Sequence, residues 1–223
     1  MSLECIETQT TATPGASIIV LHGLGADGHD FVPVARELAL SDVGGVRFIF
    51  PHAPMRPVTL NGGHVMRAWY DILGTPGARQ EDEAGLRESQ QLIEGLIARE
   101  RERGMPSRRI VLMGFSQGCA MTLLTGLRHA ERLGGLVGLS GYLPLAELTA
   151  AERSPANADV PIFMAHGRED PMVGIDRALA SRDALRALGY NVEWHDYAMP
   201  HSVCMDEIVD LNRWLLQVLG GTE

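Results

Sequence analysis

Gly114-Phe115-Ser116-Gln117-Gly118 sets one serine between two glycines, each two residues away. An apolar, strand-like run (109–114) precedes it and a helix-like apolar pattern (117–129) follows. Where a strand turns abruptly into a helix, the residues two places from the apex must lack side chains so that the two elements can pass closely. The turn then presents the serine hydroxyl at a helix N-terminus, where backbone N–H groups can stabilise a nearby oxyanion. That is a setting for nucleophilic attack on a carbonyl. Ser140 is the rival, but Tyr142 stands where its second glycine should be.

A serine nucleophile needs a base, and the base needs an orienting carboxylate. "HGREDPMV" sets Asp170 just past a strand-like run, 161–167, and "YAMPHSV" sets His201 just past another, 191–197. The order serine, acid, histidine is that of α/β-hydrolase triads. Asp176 suits the start of the following helix instead. His195 and Asp196 fall inside a strand pattern and read as a polar sheet face. For the oxyanion, the N–H of Gln117 is one expected donor. The glycine-rich loop "LHGLGADG" (21–28) offers a second at Leu24, with His22 ordering the loop. That loop lacks the helix and acidic partner of a dinucleotide fingerprint.

These residues need a frame that brings four strand ends together. Strands are expected at 17–23, 46–54, 109–114, 135–140, 161–167 and 191–197. Helices are expected at 31–40, 80–104, 117–129, 175–188 and 204–219. The longest, 80–104, shows an apolar face at Leu86, Leu92, Ile93, Leu96 and Ile97, with Gly104 as its cap. Strands alternating with helices imply an α/β fold, a mostly parallel sheet covered on both faces, with sites at the carboxyl ends of its strands. A single domain over 1–223 is expected, with no linker or repeat.

Composition narrows the chemistry. The net charge of −9 argues against nucleic acid and against docking on anionic lipid. All 19 basic residues are arginine, which excludes a Schiff-base lysine and the usual P-loop. Cys5, Cys119 and Cys204 are too far apart for a disulfide framework or a metal pair, so no metal or other cofactor is expected. With no signal-peptide pattern and no long apolar span, a cytoplasmic location without stable membrane insertion is expected. The sequence leaves the oligomeric state open.

Eight segments in register, "LHGLGADG", "FPHAPMRPVTLNGG", "WYDI", "QEDEAGL", "GFSQG", "SGYLPL", "HGREDPMV" and "MPHS", resemble the carboxylesterase and acyl-protein thioesterase family of α/β-hydrolases. The resemblance runs from about residue 16 to residue 219. It implies a Ser116–His201–Asp170 triad and an oxyanion hole at Leu24 and Gln117. The 21 residues between Leu139 and Pro161 and the 34 between Phe50 and Gly85 do not read as a separate helical cap, so no large lid is expected. The resemblance further implies an acyl channel along 69–72 and 140–145, with Trp69, Leu73 and Tyr142 as wall residues; a core aromatic is the competing reading of Trp69. The implied substrates are small esters or thioesters, lysophospholipids or acylated proteins, and an open, shallow site is expected to prefer short- to medium-chain acyl groups. Two positions depart from the family pattern. Cys119 replaces a more usual glycine, which is expected to tighten the site, and Pro200 fixes φ just before His201. A hydrolase-fold binding protein without activity is the reading from another class, disfavoured because all three triad residues are present.

Overall fold

The computed structural model describes residues 3–75 and 78–220. In chain order the strands are β1 (Cys5–Gln9), β2 (Ala16–Leu21), β3 (Val46–Pro51), β4 (Met55–Val58), β5 (His64–Arg67), β6 (Ile72–Thr75), β7 (Ala78–Glu81), β8 (Ile110–Phe115), β9 (Gly135–Leu139), β10 (Ile162–Gly167) and β11 (Val192–Tyr197). The helices are α1 (Val32–Glu37), α2 (Glu83–Glu102), α3 (Gln117–Arg128), α4 (Ala146–Glu152), α5 (Ile175–Ala187) and α6 (Met205–Gly220). Seven strands form the main sheet in the order β1-β3-β2-β8-β9-β10-β11. The β1–β3 pair is antiparallel, and every other pair in this sheet is parallel.

Alternate residues of the central strands feed two cores. Ile19 and Leu21 of β2 join Leu86, Ile93 and Ile97 of α2 and the α3 side chains on one face. Ile18 and Val20 join Leu211, Trp214 and Leu215 of α6 on the other. Burial on both faces explains why these strands read as unbroken apolar runs. Each fully buried Leu or Ile contributes roughly 1.5–3 kcal/mol of transfer free energy.

Topology places the crevice. From β2 the chain goes outward to β3, and from the neighbouring β8 it goes the opposite way, to β9. Where the crossovers diverge, the carboxyl ends of the strands border an open cleft. The β2 and β8 ends lie there side by side, with Leu21 opposite Gly114.

The expected strands and helices are present with three corrections. The long helix begins at Glu83 rather than at residue 80, because Glu81 belongs to β7 of the β6–β7 hairpin and Asp82 caps the helix by accepting the Gly85 N–H at 2.9 Å. The helix expected over 31–40 stops at Glu37, since Leu38 is extended and Leu38 and Leu40 both turn inward. That spacing of two is an extended one. The strand expected over 46–54 ends at Pro51. The edge strand β1, both hairpins and α4 are additional elements.

Candidate active site

Ser116 sits at the N-cap of α3 with φ 57° and ψ −115°, a conformation that L side chains seldom adopt. Its N–H donates to the Leu139 carbonyl at 2.9 Å, fixing the turn from outside. A Cβ at Gly114 would strike the Gly118 backbone, and one at Gly118 would strike the Leu21 carbonyl. Close passage of strand and helix therefore demands both glycines. Gln117 is the first helical residue, so its N–H has no carbonyl partner within α3 and is available to a bound group.

The three expected reactive side chains meet. His201 Nε2 lies 3.0 Å from Ser116 Oγ, and Nδ1 lies 2.6 Å from Asp170 Oδ2. An ionised carboxylate only accepts, so Nδ1 carries the proton and Nε2 accepts from the serine hydroxyl. Asp170 Oδ1 accepts the N–H groups of Met172 at 2.8 Å and Val173 at 2.9 Å. Burial alone would push the Asp170 carboxyl up, but the bonds from Val173, His201 and Met172 together hold it below its ordinary value. The carboxyl is fully buried and ionised. Phe115 packs on the His201 ring with centroids 4.7 Å apart.

The expected oxyanion loop is built from a neutral histidine. His22 is buried, and burial lowers its pKa below the ordinary value. Its Nδ1–H donates to the Gly23 carbonyl at 2.7 Å while Nε2 accepts the Ala53 N–H at 3.0 Å, a pairing that only the neutral ring can make. The Trp69 indole N–H donates to the His22 carbonyl at 2.9 Å. Leu24, Ser116, Gln117 and His201 share the wall of one cavity of about 360 Å³.

Residues 3–219 match the phospholipase/carboxylesterase family. The chain belongs to that family of α/β-hydrolases. It is 43% identical over 206 residues to acyl-protein thioesterase 1 of Yarrowia lipolytica, covering 90% of each chain. Against the protein of that name from Neurospora crassa it is 41% identical, covering 92% of this chain and 87% of that one. Acyl-protein thioesterase 2 of Zea mays superposes with a TM-score of 0.84 at 30% identity, over 97% of this chain and 99% of that one. SOBER1 of Arabidopsis thaliana superposes with a TM-score of 0.86 at 29% identity, over 92% and 99%. Among the described residues no large lid covers the cavity; residues of the hairpins between β3 and α2 border it instead.

Of the three expected channel residues, only Tyr142 lines this cavity. Trp69 is fully buried in the core beneath, and Leu73 on β6 is not among the lining residues described. Trp69 is drawn inward because its own N–H bonds Gln117 Oε1 at 3.0 Å and its indole bonds His22. The neighbouring Tyr70 faces the cavity instead, and its hydroxyl pairs with that of Tyr142 at 2.8 Å. Sequence reasoning also missed Leu60 and Met66, apolar wall residues around the β4–β5 hairpin. The segment "FPHAPMRPVTLNGG" marked the neighbourhood but not its inward residues.

Cys119 is a packing residue. Its side chain fills the space beside Gly138 and Gly141, where any added Cβ would collide with it. Burial pushes its thiol up to about 12, so it stays protonated. Asp176 lies in the first turn of α5. His195 and Asp196 lie along β11, paired with Glu193 and Arg168, and neither is among the residues lining the cavity.

Proposed function

We propose that Ser116, His201 and Asp170 carry out acyl transfer from esters and thioesters to water. The continuous path from the Ser116 hydroxyl through both His201 nitrogens to the buried Asp170 carboxylate carries this reading. His201 Nε2 takes the Ser116 proton as Oγ attacks the carbonyl carbon. The Leu24 and Gln117 N–H groups receive the negative oxygen of the tetrahedral intermediate. That intermediate collapses, expelling an alcohol or thiol that leaves with the proton from His201. Water, deprotonated by the same nitrogen, then attacks the acyl-enzyme and releases the carboxylic acid.

S-acylated proteins or peptides are the substrates best supported, through the likeness to the acyl-protein thioesterases of Yarrowia and Neurospora. Lysophospholipids and small carboxylic esters share the same chemistry. The apolar side chains of Leu60 and Met66, with Tyr142, line a finite cavity that favours short- to medium-chain acyl groups. Ser116→Ala tests the assignment. It should abolish turnover of S-acyl and O-acyl substrates alike while the circular dichroism stays that of the parent. Parent-like turnover by the variant would end the reading.

A further inference from the structure

His166, on β10, takes no part in that scheme, yet it lies directly behind it. Its side chain is almost wholly buried, and Nε2 is 2.8 Å from the Val173 carbonyl and 3.4 Å from Asp170 Oδ2. A carbonyl only accepts, so Nε2 carries the proton. Nδ1 is then bare, and it is buried with no hydrogen-bond partner among the described residues. Burial lowers the pKa of this ring against the opposing pull of the Val173 carbonyl and the Asp170 charge. The titratable groups that act on it are Asp170 and His201, and the Trp194 ring stacks on it from β11.

An unpaired buried nitrogen is unfavourable, and an apolar side chain would fill the same space without it. What histidine alone supplies here is one fixed proton, where the turn 170–173 meets the carboxylate. Val173 is held at both ends. Its carbonyl accepts from His166 and its N–H donates to Asp170 Oδ1. We infer that His166 is a positioning residue whose Nε2–H pins the Val173 carbonyl and abuts Asp170 Oδ2, locking the carboxylate toward His201. This assignment rests on the triad reading above.

His166→Leu removes the proton, and His166→Gln can return an amide N–H to nearly the same place. The Leu variant should lose kcat on the order of 10²-fold, the scale of a slightly misplaced catalytic group. Its KM should stay within about twofold. The rising limb of its kcat/KM–pH profile should move to lower pH, because a carboxylate no longer held toward His201 stabilises its imidazolium less. Gln should recover most of both losses. Equal damage from Leu and Gln, or an unchanged rate and profile in Leu, would overturn the assignment. The native protein provides a check that survives a Leu variant unable to fold. In ¹⁵N-histidine NMR, His166 should show a protonated Nε2 and a bare Nδ1 from about pH 5 to about pH 9. A titrating ring, or the opposite tautomer, would contradict it. Native protein inactive on every ester and thioester would instead sink the triad reading, whatever the His166 spectrum shows.

Discussion

Asp170 keeps its charge in a place where burial opposes it, and three donors decide the balance. Because the folded pKa is lowered, this carboxylate adds stability above its unfolded value, and that stability is lost as acid protonates it in the folded state. Its larger role is to hold the proton of His201 on Nδ1. An amide in its place can present N–H to that nitrogen and favour the wrong tautomer. Asp170→Asn should therefore lower kcat on the order of 10⁴-fold with KM little changed, as in other serine triads. Asp176→Asn should be near silent, since Asp176 only opens α5. Steady-state kinetics of the pair checks the assignment, and the reverse ranking would transfer the acid role to Asp176. Every proton in the scheme moves between side chains, substrate and water, so saturating chelator should leave kcat/KM unchanged.

At the scale of elements, the fit of α3 against β8 and β2 is what exposes the serine. Gly118→Ala would drive a methyl into the Leu21 carbonyl. Overpacking of this kind costs about 1–3 kcal/mol, so a lower denaturation midpoint and a large loss of rate are expected together. The α6 helix carries a second liability. Glu207 is fully buried near its start, and burial raises the carboxyl from its ordinary 4.5 to about 8. The folded state keeps this proton where the unfolded chain releases it, so the contribution is complete below about pH 4.5 and fades as pH rises toward 8. Glu207→Gln should flatten the decline in melting temperature across that interval; an identical slope in the variant would exclude Glu207 as its source. The serine turn and the two loops at strand ends were legible in the sequence because each joins a strong apolar run to a polar or glycine-rich stop. The β4–β5 and β6–β7 hairpins were not. All four strands are only four residues long, and those of the β4–β5 hairpin are poorly buried, so they carry almost no periodic signal. Trp69 and Tyr70 are adjacent aromatics, and tertiary hydrogen bonds such as those of Trp69 with Gln117 and His22 set which one turns inward. His166 opens the segment "HGREDPMV", but its role depends on a carbonyl seven residues away.

At the scale of the molecule, the crevice lies where crossovers diverge, and no large lid closes it among the described residues. No helix among the described residues is long and apolar enough to cross a membrane. A site already open gains nothing from an oil–water interface. For one ester carried through its solubility limit, the rate should saturate smooothly; a sharp jump as aggregates form would show that a closed state exists. Along a soluble acyl series, each CH₂ taken into the cavity is worth about 0.8 kcal/mol, so kcat/KM should climb with chain length and then level off. In the proposed scheme one serine, at the apex of the β8–α3 turn, is activated by His201. The most direct test is to expose the protein to a fluorophosphonate ester and locate the adduct by peptide mass spectrometry. One adduct per chain on Ser116, suppressed by prior incubation with a thioester substrate and absent from Ser116→Ala, is the result expected. No adduct, or an adduct on Ser140 with Ser116 untouched, would contradict the account.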